Sequence, residues 1–149
     1  MAGAMTRTIR RAVAAVLMCC TLSMSARGDV RILASPGGTV GTFLEFFTLV
    51  RASGERVVID GPCLSACTLV LSTLPPSRIC VTRRAVLGFH AARSVDDFGR
   101  AAPEPEASRL VLASYPPAVR HWIERRGGLT SRVLLLRRRE LAAMFPRCR

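Results

Sequence analysis

The sequence predicts an α/β fold built around a mostly parallel sheet. Between residues 30 and 90, apolar strand-like segments alternate with helix-like segments in the order β-α-β-α-β-β. Strands that alternate with helices in this way favour parallel pairing with right-handed crossovers. The chain has 149 residues, of which 50% are hydrophobic. This length and composition correspond to a single domain with a substantial core.

The first elements are predicted from apolar spacing and turn residues. Residues 30–34 form a short apolar strand that ends at the turn sequence Ser35-Pro36-Gly37-Gly38. Apolar side chains then recur at spacings of three and four over residues 39–52, which is typical of a helix. Residues 56–60 form an apolar strand of the kind that is buried in a parallel sheet.

The remaining elements are predicted from the same signals. A helix over residues 64–74 ends at a proline pair, and two short strands follow it at 78–82 and 85–90. The polar stretch 91–107 is predicted to be a mobile loop over or beside a site. Further helical segments are predicted at residues 110–115, 118–126, around 133–136 and at 140–145.

Residues 1–26 have the layout of a secretory signal peptide. Three arginines, Arg7, Arg10 and Arg11, precede an apolar stretch over residues 12–22, and small residues at 23–26 suit cleavage. The alternative is an uncleaved N-terminal membrane anchor, which would be the only membrane contact of the chain. We therefore expect the domain formed by residues 27–149 to be periplasmic or secreted, or else membrane-anchored.

The charge pattern limits the possible functions. All 22 basic residues are arginine and none is lysine, so a mechanism that uses a lysine base or a Schiff base is excluded. A net charge of +12 is compatible with binding to nucleic acid or to an anionic surface. Aromatic residues are only 5% of the chain, however, and no nucleic-acid motif occurs, so we predict no nucleic-acid partner.

Four cysteines follow the signal sequence, at Cys63, Cys67, Cys80 and Cys148. Disulfides are expected in an exported protein, and four cysteines allow three pairings. A Cys63–Cys67 bond is disfavoured if a helix starts between them, since i,i+4 side chains on a helix rarely meet disulfide geometry. We therefore predict that Cys80 bonds to Cys63 or Cys67, and that Cys148 ties down the C-terminus. The spacing matches no zinc motif, so no metal ion and no cofactor are predicted.

Three local signals lie at predicted strand ends. Two glycines, Gly37 and Gly38, precede a helix whose N–H groups could hold an anion. Ser65 lies at the second strand-to-helix junction, and His90 ends a later strand. Each signal alone is weak, because a serine near a helix start is usually a cap. Together, at one expected edge of one sheet, they predict a nucleophile, a base and an oxyanion site.

These segments resemble the proteolytic subunit of Clp protease, and more closely the exported proteins related to it. The resemblance rests on Ser35-Pro36-Gly37-Gly38, on Gly61-x-x-x-Ser65-Ala66 and on Arg78-x-Cys80-x(7)-Gly88-Phe89-His90, and it covers residues 29 to 92. It implies a ClpP/crotonase-like ββα superhelix with Ser65 as nucleophile and His90 as general base. The N–H groups of Gly38 and Ala66 would form the oxyanion hole.

The chain departs from this family at two places. The family's acidic third residue has no clear counterpart, because Arg137-Arg138-Arg139 stand near its position. The candidate acids are Glu140, Glu124, Asp96 and Asp97. The first strand–helix unit of the family also has no counterpart, so a second subunit would be needed to cover the sheet edge and a homo-oligomer is expected.

The resemblance thus implies an exported serine hydrolase of the peptidase type, acting on a peptide or protein substrate. The alternative is a non-catalytic binding or assembly protein on the same fold.

Overall fold

A computed structural model of the chain describes residues 28–148. The predicted signal peptide, with Cys19 and Cys20, lies outside the described residues. The strands are β1 (Asp29–Ile32), β2 (Arg56–Ile59), β3 (Pro62–Leu64), β4 (Ile79–Val81), β5 (Val86–Phe89), β6 (Arg93–Val95), β7 (Ala101–Pro103) and β8 (Leu134–Arg137). The α-helices are α1 (Val40–Ser53), α2 (Val70–Thr73), α3 (Pro105–Ser114), α4 (Pro117–Glu124) and α5 (Arg138–Met144). Two 3₁₀ helices span Ser65–Leu69 and Pro76–Arg78.

The fold is mixed α/β, with two small sheets in place of the single sheet that was expected. The first sheet has the order β1-β2-β4, and all of its strands are parallel. The second has the order β3-β5-β8, in which β3 and β5 are parallel and β8 is antiparallel. Strands β6 and β7 form a separate hairpin. None of the helices between residues 28 and 148 has the length and hydropathy that a membrane-spanning helix requires.

The chain passes from the first sheet to the second at Gly61, between β2 and β3. A Cβ atom at Gly61 would lie 1.8 Å from the carbonyl oxygen of Leu33, so only glycine fits this crossing. Strand β3 was not predicted, because its three residues follow β2 without any apolar run of their own. Ser35 forms a parallel bridge with Cys63, and the segment after β1 therefore also reaches the second sheet.

Two predictions for the second half of the chain are wrong. The segment around 133–136 is strand β8 and not a helix: Leu134 and Leu136 are buried, whereas Leu135 is exposed. This alternation has the period of two that strands show. The polar stretch 91–107, predicted as a mobile loop, contains the β6–β7 hairpin and the start of α3. The hairpin turn is held by the Asp96 side chain, which accepts hydrogen bonds from the backbone N–H groups of Phe98 and Arg100.

The cysteine pairing also differs from the prediction. The disulfides are Cys63–Cys67 and Cys80–Cys148, so Cys80 does not bond to Cys63 or Cys67. Cys63 lies on β3 and not on a helix, and the backbone folds back at Ser65, where φ is 53°. The Cα atoms of Cys63 and Cys67 therefore come within 5.3 Å, which suits a disulfide. Cys148 does tie down the C-terminus, beside β4. The two disulfides are consistent with an exported protein.

Asp60 lies between the two sheets and is only 6% exposed. Its carboxylate accepts hydrogen bonds from Arg84 (2.6 Å and 3.1 Å), from the Thr82 hydroxyl (2.7 Å) and from Arg31 (2.8 Å). These bonds, that from Arg84 foremost, hold the pKa of Asp60 well below its usual range. The Asp60 carboxylate thus connects side chains from elements of both sheets through hydrogen bonds and ion pairs.

Asp60→Asn should destabilise the fold at neutral pH and reduce its sensitivity to acid. Because the folded-state pKa of Asp60 is lowered, its contribution to stability is present above the unfolded pKa of about 3.9 and is lost as the pH falls through the folded value. Urea midpoints of the wild type should therefore fall more steeply below about pH 5 than those of the variant. Asp97→Asn, which removes an exposed carboxylate, is the matched control; equal acid slopes for all three proteins would contradict the role of Asp60.

Candidate active site

Three neighbouring segments of the second sheet end at the same edge. The Ser35 segment pairs in parallel with β3, and β3 pairs in parallel with β5. Gly38, Ser65 and His90 follow these segments, and all three residues line one open cavity of about 840 Å³. Parallel neighbours present their carboxyl ends at one edge, which is why three distant sequence positions meet here.

Ser65 occupies a sharp strand-to-helix turn. Leu64 is extended, with φ −111° and ψ 156°, and Ser65 then takes a φ of 53° at the start of the 3₁₀ helix. Positive φ is strained for a residue other than glycine, and strained backbone of this kind clusters at functional sites. Gly37 packs directly on this turn, since a Cβ atom there would lie 2.5 Å from the Ser65 Cβ. The Cys63–Cys67 disulfide closes the same turn covalently.

A chain of two hydroxyls holds the turn from its buried side. The Thr68 hydroxyl donates to the Ser65 carbonyl at 2.6 Å. The Tyr115 hydroxyl oxygen lies 2.6 Å from the Thr68 hydroxyl oxygen. Because the single proton of the Thr68 hydroxyl is already donated to Ser65, Tyr115 is the donor in this second hydrogen bond. Burial raises the pKa of Tyr115 to about 12, and its proton therefore stays in place. Sequence reasoning missed both residues, because the contact joins positions 68 and 115 across the core.

His90 is half-buried directly after β5. Its Nδ1 lies 2.7 Å from the carbonyl oxygen of Ala91. A carbonyl oxygen only accepts, so Nδ1 carries the proton and Nε2 is the basic nitrogen of the neutral ring. The segment that carries this carbonyl is fixed on both sides: the Ala91 N–H donates to the Thr130 carbonyl, and the Ala92 N–H donates to the Ser108 hydroxyl.

Ser65 and His90 also share a small recess of about 30 Å³ beside the main cavity. Leu69, Val111 and Tyr115 give this recess apolar walls. No hydrogen bond joins the Ser65 and His90 side chains in the part of the chain that the structure describes. Catalytic hydrogen bonds are often long or unformed without substrate, so the shared cavity is the more informative observation.

The two residues predicted to supply an oxyanion hole line the two spaces that Ser65 borders, one residue in each. Ala66 lines the recess and is the second residue of the 3₁₀ helix, where a backbone N–H has no intrahelical acceptor. Gly38 is exposed in the main cavity. Outside the regular elements, no backbone hydrogen bond within residues 28–148 is donated by Gly38 or Ala66.

None of the four candidate acids forms an ion pair with His90 or lines either cavity with it. Glu140 accepts hydrogen bonds from the Trp122 indole at 3.1 Å and from Arg126 at 2.5 Å. Asp96 is bonded to its own hairpin turn. Glu124 and Asp97 are exposed and do not line either cavity. Across residues 28–148, no carboxylate forms an ion pair with a histidine.

The main cavity contains two charged residues that the sequence did not single out. Arg93 on β6 and Glu104 at the start of α3 both line it. Glu104 stands between two prolines in a polar stretch, and no spacing rule could connect it with Ser65. The described residues include no group of three His, Cys, Asp or Glu side chains that could hold a metal ion.

Compared with known proteins, the chain matches no family model, and no curated protein matches it significantly.

Proposed function

We propose that the chain is an exported serine hydrolase of the peptidase type, with Ser65 as nucleophile and His90 as general base. The observation that carries this proposal is the shared cavity. A serine in a strained turn and a histidine with a defined basic nitrogen line both the main cavity and the recess beside it. Gly38 lines the cavity and Ala66 lines the recess. The two disulfides support a periplasmic or secreted location.

In this mechanism Nε2 of His90 takes the Ser65 proton as the Ser65 Oγ attacks a substrate carbonyl. The oxyanion that forms is held by the N–H groups of Gly38 and Ala66, and each such donor is worth about 10²–10³ in rate. His90 then protonates the leaving group, and water hydrolyses the acyl-enzyme by the reverse sequence. The Ala91 carbonyl orients the imidazole in place of a carboxylate, so the pair works as a dyad.

The topology supports a ClpP/crotonase-like ββα superhelix. Strand β2 continues into β3 and then into helical structure, and the segment after β1 likewise reaches the second sheet before α1. Strand β4 continues into β5 in the same manner. Each of these three chain segments thus contributes first to the β1-β2-β4 sheet and then to the β3-β5-β8 sheet.

The small apolar recess beside Ser65 predicts the side chain that the site accepts next to the scissile carbonyl. A recess of about 30 Å³ has room for a methyl group but not for an aromatic ring. Activated esters of N-acetylalanine should therefore be cleaved faster than those of N-acetylphenylalanine, by at least about tenfold in kcat/KM. A preference for the phenylalanine ester would contradict this assignment of the recess.

Labelling with a fluorophosphonate probe tests the hydrolase proposal directly. The Ser65 oxygen should displace fluoride and form a bond to phosphorus, and mass spectrometry should locate the adduct on Ser65. Ser65→Ala should abolish the labelling. Ser72→Ala on α2, whose hydroxyl bonds to that of Ser114, should leave it unchanged. Absence of labelling in a folded sample with both disulfides intact would reject the hydrolase proposal.

A non-catalytic binding or assembly protein is the second candidate, and two observations favour it. His90 has no carboxylate partner among residues 28–148, and α1 leaves Leu44, Phe46 and Leu49 exposed to solvent. A homo-oligomer that covers this helix and the β1 edge would bury those side chains. A folded protein that resists the probe but is dimeric or larger by light scattering would support this alternative.

A further inference from the structure

A second cavity, of about 380 Å³, lies between the end of β4 and helix α5. Four arginines line it, namely Arg83, Arg138, Arg139 and Arg147, and no acidic residue does. It shares no lining residue with the cavities around Ser65. Its properties can therefore be tested separately from the hydrolase proposal.

Two acids adjoin the lining residues of this cavity, and each is paired with arginines outside it. Asp60, which accepts from the lining residue Thr82, is held by Arg84 and Arg31. Glu140, which follows Arg139 on α5, pairs with Arg126. Within residues 28–148, none of the four cavity arginines forms an ion pair. Four like charges around one space repel one another, and a bound anion would relieve that repulsion.

The backbone around the cavity is fixed. Arg147 is next to Cys148, whose disulfide to Cys80 and whose N–H bond to the Val81 carbonyl hold it beside β4. At the other wall, buried Leu141 anchors α5 to the core. The turn before Arg84 is held by the Thr82 hydroxyl, which accepts the Arg84 N–H. Binding of a ligand here therefore costs less conformational entropy than binding to a flexible basic patch.

We infer that this arginine pocket binds a phosphate-type polyanion. Guanidinium groups present planar pairs of donors that match the oxygens of phosphate, and such charge-assisted bonds are roughly twice as strong as neutral ones. The cavity volume exceeds what a single phosphate group requires, so it accommodates a diphosphate or the phosphate of an ester. Free phosphate esters and lipid headgroups share this chemistry.

Titration with inorganic pyrophosphate by calorimetry tests the pocket. At low salt the wild type should bind one equivalent, and Arg83→Gln/Arg139→Gln should bind at least about tenfold more weakly. The matched control, Arg125→Gln/Arg132→Gln, removes the same charge from exposed positions outside the pocket and should change affinity less than about threefold. Equal weakening by both variants, or no saturable binding by the wild type, would overturn the inference.

A second measurement does not depend on the variants folding. In wild-type protein labelled with nitrogen-15, pyrophosphate should shift the amide signals of Thr82 and Ala142, which line the pocket. Shifts confined to the Ser65 cavity would overturn the inference. Flotation with phosphatidylglycerol vesicles then identifies the source: binding that the Arg83/Arg139 variant loses indicates a lipid headgroup, and no vesicle binding indicates a soluble phosphate ester. Vesicle binding without saturable pyrophosphate binding counts against the pocket.

Discussion

Ser65→Ala and His90→Ala should each lower the hydrolysis of an activated ester by about 10⁴–10⁶-fold, and the double variant should be no slower than either alone. The reason is that the proposed dyad acts as one unit: a serine without its base is not activated, and a base without its nucleophile has no proton to take. The measurement is kcat for the N-acetylalanine ester, with residual activity checked against a sample inactivated by the fluorophosphonate. Additive losses in the double variant would show that the residues do not cooperate.

The same assay separates a dyad from a triad. Glu124→Gln and Asp97→Asn should change kcat less than about threefold, because these exposed carboxylates do not reach His90. Glu140→Gln should lower stability, since it removes the negative charge that pairs with Arg126, but it should not lower kcat measured below its unfolding midpoint. A loss of 10³-fold or more in any one of these variants would identify a third catalytic residue and would contradict the orienting role of the Ala91 carbonyl.

Placing Ser65 and His90 together was possible from the sequence because strand ends have a simple geometry. Each residue follows an apolar strand, and the carboxyl ends of parallel strands meet at one edge. The residues that contact Ser65 and His90 could not be predicted from the sequence. Tyr115 contacts Ser65 through Thr68, and the His90 Nδ1 lies against the Ala91 carbonyl, whereas its partner was sought among acidic side chains. A backbone carbonyl leaves no signature in a sequence.

The errors in the fold prediction share a physical cause, which is that short strands carry little pattern. Strand β3 has three residues and β8 has four, and the leucine run of β8 fits a helix and a strand equally well until its partner β5 is known. The disulfide pairing was predicted wrongly because strand β3 was missed. A helix was assumed to begin between Cys63 and Cys67, whereas Cys63 lies on the strand and the turn at Ser65 brings the two together.

Gly61→Ala should reduce the free energy of unfolding by more than about 4 kcal/mol, or prevent folding altogether. The added Cβ would lie 1.8 Å from the Leu33 carbonyl oxygen, and that oxygen cannot move aside easily. The Asp60 N–H donates to the Ile32 carbonyl and the Ser35 N–H donates to the Pro62 carbonyl, so both sides of Leu33 are fixed against the same segment. Overpacking against backbone, unlike contact with a flexible side chain, has no inexpensive relaxation.

The matched control is Gly41→Ala in the first turn of α1, where a Cβ would meet nothing within 4 Å. This substitution should leave stability unchanged or raise it by up to about 1 kcal/mol, because alanine favours the helix. Urea unfolding of both variants with their disulfides intact gives the comparison. A Gly61→Ala protein as stable as the control would mean that β2 does not continue into β3 at this crossing. The path that brings Ser65 to the same edge as His90 would then be wrong, and with it the geometric basis of the proposed active site.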